Sequence, residues 1–353
     1  MEETLFTVER GIGHIRLNRP RALNALSPDQ FRAIAATLRR WRSDPAVAVV
    51  LIEGAGERAF SAGGDIRAVW DRRDDHEAIR AIFRAEYRLD RLIHTYPKPF
   101  VAWMDGIVMG GGAGISVNGA FRVATERTLF AMPEAAIGFF PDVGATHFLG
   151  RCPGRVGLYL GLSGARLGAA DCRWAGLATH FLPSAARPSL VAALEAAALT
   201  PDPRREVASA LADLTGDAGE ADLPRHAAAI ERCFDRPTLA EALAALAAEG
   251  GAWAERTLAE IAAGAPMSLA VIFRQLSEGR GLAFDDAIRR EYRLACNFLE
   301  CDDLFEGIRA AVIDKDRAPA WRPASLAEID MMAVAARFLV GPNDGLDLDD
   351  GNT

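Results

Sequence analysis

An α/β fold is predicted by the way short apolar runs alternate with longer amphipathic segments. The runs at 46–52 and 100–104 have the length and the apolar composition of buried parallel strands. Amphipathic segments of helical length begin at Pro28 and cover about 76–94. From about Pro188 onward, Ala-rich periodic segments with Gly and Pro breaks predict a half that is entirely helical.

The first elements are predicted from alternation and capping residues. Residues 5–20 alternate apolar and polar side chains around Gly11, which predicts a β-hairpin. Ser27 in the N-cap position, Pro28 in the first helical position and Gln30 two residues later form a capping box, so a helix begins here. One face of this helix is apolar and consists of Phe31, Ile34, Leu38 and Trp41.

The later elements are shorter, and the composition changes along the chain. Two short strands are predicted at 121–124 and 128–131, and Ser268 is predicted to cap a helix in the second half. The tail is acidic and polar, a composition typical of disorder. We therefore expect a core over 1–200, a helical region over 201–340 and a disordered acidic tail over 341–353.

The composition excludes several classes of partner. A net charge of −8 over 353 residues argues against nucleic-acid binding, which needs clustered Lys and Arg. No apolar run approaches the roughly 20 residues of a membrane span, so we expect no membrane partner. The histidines lack metal-ligand spacing, so we expect no metal site. Five scattered cysteines and an N-terminus without a signal pattern predict reduced thiols in a cytoplasmic protein.

Two glycine-rich turns, at 59–66 and 105–112, each follow a predicted buried strand. Glycine lets the backbone approach a ligand closely, and the second turn opens a helix whose first N–H groups lack intrahelical partners. Two such turns can aim two N–H groups at one oxygen, which is an oxyanion hole. The alternative is two tight turns that pack helices on strands, and the pattern leaves both readings open.

Two carboxylates, Glu134 and Asp142, lie in an otherwise apolar segment, with Gly138 and Pro141 between them. Glu134 has the position of a first-turn acid and Asp142 that of an N-cap. Gly138 and Pro141 argue against one continuous helix, so the acids are expected on separate small elements. The alternative function of either acid is that of a general base or nucleophile in a water-poor pocket.

The order of four segments resembles the crotonase superfamily of acyl-CoA enzymes. These segments are NRPRALNAL (18–26), RAFSAGGDI (58–66), MDGIVMGGGAGISVNGAFRVAT (104–125) and LFAMPEAAIGFFPDVG (129–144). The last of them, together with AEYRLD at 85–90, is similar to the 3-hydroxyisobutyryl-CoA hydrolase branch. The resemblance extends from about residue 5 to about residue 330. It implies a spiral of ββα units around two sheets, followed by a C-terminal helical region.

The resemblance also implies roles for single residues. Gly64 and Gly111 would supply the two N–H groups of the oxyanion hole, Glu134 would be the catalytic acid, and Asp142 would be the second acid of the hydrolase branch. A typical hydratase of the superfamily has another catalytic Glu a few residues after the glycine cluster, where this chain has Gly114. Residues expected to contact the substrate are Glu86, Arg21, Ala22, Ala62, Asp65, Ile66 and Lys315.

These implications together predict an acyl-CoA thioester hydrolase, acting on 3-hydroxyisobutyryl-CoA in valine catabolism. No cofactor is expected, because coenzyme A is part of the substrate. The alternatives are an enoyl-CoA hydratase or isomerase of the same fold and a non-catalytic acyl-CoA-binding protein. The sequence leaves open whether Glu134 attacks the thioester or activates water, and the superfamily implies a possible homo-oligomer. Ala145 and Thr146 depart from the branch pattern and are expected to reshape the acyl pocket.

Overall fold

The computed structural model describes residues 2–339, 341 and 345–348, and its backbone forms two compact units. Unit 1 combines the residues up to 64 with 88–130 and 166–223, whereas unit 2 combines 65–87, 131–165 and the residues from 224 onward. The units therefore interleave along the chain, unlike the consecutive regions expected with a boundary at residue 200. That boundary marks a change in helix content, which is a local property, whereas compactness depends on long-range packing.

Unit 1 is built on two β-sheets, and their strands are short. The strands are β1 (Thr4–Glu9), β2 (Ile12–Leu17), β3 (Val49–Gly54), β4 (Ala59–Ser61), β5 (Phe100–Met104), β6 (Ile107–Met109), β7 (Phe121–Ala124), β8 (Leu129–Ala131) and β9 (His180–Phe181).

From β3 onward, successive strands of the chain belong alternately to the two sheets. The six-stranded sheet has the order β1-β2-β3-β5-β7-β9, and the three-stranded sheet has the order β4-β6-β8. Only the β1–β2 hairpin is antiparallel in the six-stranded sheet, with Thr4 opposite Leu17. From β2 onward its strands pair in parallel, as Val50 with Phe100 and Val101 with Phe121 show. The predicted α/β class is confirmed, and the strand order is that of repeated ββα units.

The α-helices of the described residues occupy the rest of both units. In chain order they are α1 (Pro28–Ser43), α2 (Ile66–Trp70), α3 (His76–His94), α4 (Gly111–Val117), α5 (Ala145–Leu149), α6 (Val156–Ser163), α7 (Ala169–Trp174), α8 (Arg187–Ala198), α9 (Pro203–Leu214), α10 (Leu223–Phe234), α11 (Leu239–Glu249), α12 (Gly251–Ala262), α13 (Pro266–Glu278), α14 (Phe284–Phe298), α15 (Asp302–Ile308) and α16 (Met331–Ala336).

Local sequence signals account for several of these boundaries. The Ser27 capping box is present, and the predicted helix over 76–94 coincides with α3. The predicted cap at Ser268 is wrong, because α13 begins at Pro266 with Ala265 as its N-cap residue. Proline is well suited to the first helical position, so it starts the helix three residues earlier than a cap at Ser268 would and leaves Ser268 buried in the first turn.

One face of the six-stranded sheet packs on the two helices that follow β9. Val49, Val101 and Val123 project from neighbouring strands into this core. Leu190 from α8 and Leu211 from α9 complete it, and all five side chains are fully buried. The continuous apolar strands predicted from the sequence are thus explained, because a parallel sheet covered by helices has little polar face.

The C-terminal tail is described only in part. Residues 342–344 and 349–353 of the predicted disordered tail lie outside the described residues. Within 345–348, Leu346 and Leu348 are buried, which differs from the solvated segment that the acidic composition predicts. The composition missed these two side chains because an average over the tail hides individual apolar residues.

No single helix of the described residues is long and apolar enough to cross a membrane. One pair of helices, α12 and α13, meets the length and composition criteria only when both are taken together, and it is bent by 113°.

The start of α4 packs unusually closely on β4 in unit 1. A methyl group added at Gly112 would lie 2.4 Å from the carbonyl oxygen of Ser61 and 2.9 Å from its Cβ. The atom in the way is backbone, which cannot rotate aside as a side chain can. Gly112 therefore sets the distance between the two glycine-rich turns.

We predict that Gly112→Ala lowers the free energy of unfolding by about 1–3 kcal/mol, because overpacking at a rigid contact must displace α4. Urea unfolding followed by circular dichroism measures this change. The matched control is Gly216→Ala, where the added methyl group would meet its nearest atom at 3.6 Å, an ordinary contact. Equal stability losses in the two variants would contradict the close packing described here.

Candidate active site

The two glycine-rich turns meet in unit 1. Gly63 has φ of +109°, and a methyl group there would lie 3.1 Å from the carbonyl oxygen of Met109 and 3.5 Å from the amide nitrogen of Gly111. The turn that carries Gly64 therefore lies in van der Waals contact with the N-terminus of α4. Gly110, the N-cap residue, has φ of 49° and ψ of −126°, a conformation that favours glycine.

The two backbone amides predicted for the oxyanion hole are available at this contact. Gly111 is the first residue of α4, so its N–H has no acceptor within the helix. In the first turn, Leu26 donates its N–H to the carbonyl of Gly63 at 2.8 Å. Within the described part of the chain, neither Gly64 nor Gly111 uses its N–H in the hydrogen bonds of these turns. The geometry thus fits two free donors in neighbouring turns, and their catalytic role stays a prediction.

Three of the residues predicted to border the CoA moiety lie beside the first turn in unit 1. Arg21 and Ala22 are exposed on the 3₁₀ turn Pro20–Ala22. The N–H of Ala62 donates to the carbonyl of Leu23 at 3.0 Å, which joins the two loops. Buried Asn24 reinforces the junction by donating to the carbonyl of Ala59 at 2.8 Å.

The other three residues predicted to border CoA lie in unit 2. Asp65 is the N-cap residue of α2 and Ile66 its first residue. Arg67 then donates to the carbonyl of Val312 at 3.2 Å, in the π-helical turn that precedes exposed Lys315. The structure therefore brings the start of α2 close to the segment carrying Lys315.

Three predicted acids are buried together in unit 2. Glu134 begins the 3₁₀ helix Glu134–Ile137, Asp142 lies in the following loop, and Glu86 lies on α3. Each is only 6% exposed. Gly138, with φ of +70°, ends the 3₁₀ helix, so the predicted break between the two acids is confirmed.

Aromatic rings pack around the segment that carries two of these acids. The ring centroids of Phe83 and Phe139 are 5.7 Å apart, and those of Phe140 and Phe298 are 5.2 Å apart. Phe139 and Phe140 are also neighbours, at 4.5 Å. This packing excludes water from the segment and raises the free energy of a charge placed there.

Burial and mutual repulsion shift the acids towards their neutral forms. Burial raises the pKa of Glu134 well above its usual value, and the charge of Asp142 raises it further. The pKa of Glu86 is likewise raised, first by burial and then by Asp142 and Glu134. Burial raises the pKa of Asp142 to about 7, although a hydrogen bond from Tyr87 acts in the opposite direction. The three carboxyl groups therefore share fewer than three charges near neutral pH.

The acids differ in their hydrogen bonds. The hydroxyl of Tyr87 donates to Oδ2 of Asp142 at 2.6 Å, which favours the ionised form of Asp142. Oε2 of Glu134 is buried and has no hydrogen-bond partner among the described residues. A buried polar atom without a protein partner can accept a hydrogen bond from a bound molecule or from water. The catalytic role of Glu134 stays a prediction.

Two functional candidates, Tyr87 and Glu291, were missed by the sequence analysis. Tyr87 follows Glu86 directly, but nothing in AEYRLD distinguishes it from a core aromatic residue. Glu291 accepts the N–H of Gly144 at 2.6 Å and that of Thr146 at 2.7 Å. Its position in the apolar stripe of α14, beside residues such as Ile288, is a signal that the sequence carries.

The loop after Glu134 bears on two of the sequence predictions. Of the two roles left open for Asp142, the N-cap role is not adopted, because the N-cap residue of α5 is Gly144 and Asp142 directs its side chain to Tyr87. Thr146 is fully buried and its hydroxyl accepts a hydrogen bond from Gln275 at 2.9 Å, and its effect on an acyl pocket stays a prediction. Both contacts come from helices distant in sequence, which local patterns do not reveal.

The described residues contain no cluster of three or more His, Cys, Asp or Glu side chains that could hold a metal ion.

Comparison with known proteins places these features in a family context. The family model described as enoyl-CoA hydratase/isomerase matches residues 12–338. A mitochondrial 3-hydroxyisobutyryl-CoA hydrolase from Gallus gallus is 42% identical over 93% of this chain and 86% of its own length. The small ribosomal subunit protein mS47 from Neurospora crassa is 41% identical over 93% of this chain and 69% of its own length. A crystal structure of a carnitinyl-CoA dehydratase from Mycobacterium thermoresistibile has a TM-score of 0.92, with 38% identity, and the match covers 99% of this chain and all of that one.

The predicted cytoplasmic location is contradicted by this comparison, because the hydrolase from Gallus gallus is a mitochondrial protein. The prediction depended on scattered cysteines and on an N-terminus without a signal pattern, and the described structure contains all five cysteines as free thiols. Free thiols do not distinguish one reducing compartment from another.

We predict that Asp142→Asn stabilises the protein at neutral pH. The pKa of Asp142 is raised from 3.8 to about 7 in the folded state, so folding of the wild type is penalised as pH rises through that interval. Because one pKa unit corresponds to about 1.4 kcal/mol, the variant gains on the order of 1–4 kcal/mol at pH 8 and nothing near pH 4. Urea unfolding across this pH range measures the difference.

The control for this experiment is Asp286→Asn, which removes an exposed carboxylate from α14. Its effect is expected within about 0.5 kcal/mol at every pH, as for ordinary surface substitutions. A stability gain for Asp142→Asn that is independent of pH would contradict the raised pKa.

Proposed function

The chain belongs to the enoyl-CoA hydratase/isomerase family, and from this membership we propose that it hydrolyses an acyl-CoA thioester. The proposed substrate is 3-hydroxyisobutyryl-CoA, with 3-hydroxyisobutyrate and free CoA as products, a step of valine catabolism. The observation that carries the proposal is a pair of buried acids, Glu134 and Asp142. One oxygen of Glu134 has no hydrogen-bond partner among the described residues. Sequence identity of 42% to a hydrolase of that substrate supports it.

The composition of α4 argues for hydrolysis over hydration. The resemblance to hydratases implies a second catalytic Glu shortly after the glycine cluster. Helix α4 has the sequence GGAGISV, all of it buried, and offers no carboxylate. The hydration of a double bond by two glutamates therefore lacks its second glutamate in this chain. Thioester hydrolysis, in contrast, uses Glu134 and Asp142, which this chain has.

The proposed reaction begins at the thioester carbonyl. The N–H groups of Gly64 and Gly111 donate to its oxygen and stabilise the negative charge that develops there, a contribution on the order of 10²–10³ in rate for each donor. Glu134 either attacks the carbonyl carbon, giving an anhydride that water then cleaves, or removes a proton from the water that attacks. On both routes the C–S bond breaks, CoA leaves as its thiol, and the water oxygen ends in a carboxylic acid.

Asp142 is proposed to bind the 3-hydroxyl of the acyl group, with Glu86 completing the polar end of the acyl site. A site that binds a hydroxyl through buried polar groups rejects substrates that lack it, because those groups then lose their partner. Tyr87 donates to Oδ2 of Asp142, and the proposed contact with the substrate hydroxyl uses the other oxygen, Oδ1. The polar end of the site thus sets the preference for a hydroxyacyl group.

No resident cofactor is proposed, and CoA enters as part of the substrate. Arg21, Ala22, Ala62, Asp65, Ile66 and Lys315 are proposed to contact it, as the resemblance implies. Self-association of the chain stays a prediction, which size-exclusion chromatography with light scattering measures directly.

We predict release of free thiol when the purified protein is given 3-hydroxyisobutyryl-CoA, and a loss of about 10³-fold in kcat for Glu134→Gln. The reason is that glutamine can neither attack the carbonyl nor accept a proton. Asp286→Asn, which changes an exposed acid of the same unit, is the control and retains full activity. Circular dichroism verifies that both variants are folded.

Other outcomes of this assay select a different function. Consumption of crotonyl-CoA without thiol release indicates a hydratase. Binding of CoA esters without turnover of any kind indicates a non-catalytic protein, a role that the similarity to mS47 makes worth testing. Full activity of Glu134→Gln overturns the assigned chemistry even if thiol is released.

The pH dependence of kcat/KM supplies a separate prediction. Glu134 must be ionised to act, and burial together with Asp142 raises its pKa. Activity therefore rises with pH, and its half-maximal value lies well above pH 4.5. Added salt leaves this midpoint in place, since buried charges are screened much less than exposed ones. A midpoint at the usual pKa of an exposed glutamate would contradict the assignment.

A further inference from the structure

Glu291 on α14 holds a loop that is distant from it in sequence. Its side chain is fully buried, and each carboxylate oxygen accepts one backbone N–H. Oε2 accepts from Gly144 at 2.6 Å and Oε1 from Thr146 at 2.7 Å. These donors stand at the start of α5, where no side chain of the local sequence caps the helix.

A second side chain, Gln275, holds the same loop. Gln275 on α13 donates Nε2 to the carbonyl of Pro141 at 2.8 Å and to the hydroxyl oxygen of Thr146 at 2.9 Å. Gln275 is fully buried as well. The backbone is therefore fastened immediately before Asp142 and again two residues after it.

The loop needs such fastening because its backbone conformation is unfavourable. Val143 has φ of 55° and Gly144 has φ of 91°, so two consecutive residues adopt the left-handed region. A β-branched residue rarely adopts this conformation without support from its surroundings. Without the two hydrogen bonds to Glu291, the backbone at 143–144 is expected to leave the left-handed region. The orientation of the Asp142 side chain then changes as well.

The choice of a carboxylate at position 291 fits this task. Only a carboxylate offers two equivalent acceptor oxygens, one for each N–H, whereas an amide offers a single acceptor. Glu291 forms no ion pair within the part of the chain that the structure describes. Burial raises the pKa of Glu291 to about 8, although its hydrogen bonds with Thr146 and Gly144 act in the opposite direction.

We infer that Glu291 is a positioning residue, which sets the orientation of Asp142 by fixing the backbone amides of Gly144 and Thr146. The inference rests on the proposed function, since it concerns how the chain recognises the 3-hydroxyl of the substrate. Glu291 itself touches no reacting atom in this account and acts only through the loop. Gln275 assists through Pro141 and Thr146.

The test compares two substrates that differ in one hydroxyl group, 3-hydroxyisobutyryl-CoA and isobutyryl-CoA. In Glu291→Gln, one N–H loses its acceptor and faces an amide group instead. We expect kcat/KM for the hydroxylated substrate to fall about 10²-fold, the size of effect that a 1 Å misplacement can cause. The kcat/KM for isobutyryl-CoA changes much less. The ratio of the two kcat/KM values, which measures the preference for the hydroxylated substrate, therefore falls towards the ratio of the Asp142→Asn variant. Asp286→Asn on the same helix is the control, and its preference equals that of the wild type.

The outcomes separate this inference from the proposed function. If the wild type releases no thiol from either substrate, the proposed function is wrong and the inference falls with it. If the wild type is active and Glu291→Gln keeps its preference, or loses activity on both substrates equally, the positioning role is wrong and the function stands. If Glu291→Gln does not fold, Gln275→Met, which removes the second fastening, decides by the same ratio, with a smaller loss expected.

Discussion

The burial of three carboxyl groups in one apolar region of unit 2 is the constraint on which the rest of the site depends. Glu86, Glu134 and Asp142 are nearly inaccessible to water, and their charges repel one another. Such an arrangement destabilises the folded chain unless protons are shared or hydrogen bonds compensate. The surrounding features, from the Tyr87 hydroxyl to the loop held by Glu291, are best understood as ways to support this arrangement and direct it.

The same constraint divides the work among the acids. Asp142 has a hydroxyl donor, whereas the buried oxygen of Glu134 has no partner among the described residues. A group whose hydrogen bonding is satisfied suits binding and orientation. A group whose hydrogen bonding is incomplete suits the reacting position, since the substrate can supply the missing hydrogen bond. Active sites commonly retain such strain at the expense of stability.

Much of the fold could be predicted because its signals are local. The capping box at Ser27, the buried strand at 100–104 and the glycine-rich turns are properties of a few neighbouring residues, and each was found where expected. The strand predicted at 46–52 is present but displaced to Val49–Gly54. In the candidate site, sequence motifs marked Gly64, Gly111, Glu134 and Asp142. Their roles are still predictions.

The parts that could not be predicted arise from contacts between distant segments. Glu291 lies 145 residues from Thr146, and Gln275 lies 134 residues from Pro141, so no window of sequence contains both partners. The interleaving of the two units has the same cause, because segments 65–87 and 131–165 join the C-terminal helices through packing. The sequence indicates such a contact where an acid occupies a position in an apolar helical stripe, as Glu291 does in α14.

Infrared difference spectroscopy of the carboxyl groups, which compares the wild type with Glu134→Gln, measures the protonation state of Glu134. We expect a protonated carboxyl band in the wild type near neutral pH, lost in the variant, because burial and Asp142 raise the pKa of Glu134. This band should disappear on titration to a pH well above the usual range of glutamate. The absence of any protonated carboxyl signal at neutral pH, with Glu134 ionised as in water, would contradict the raised pKa of Glu134.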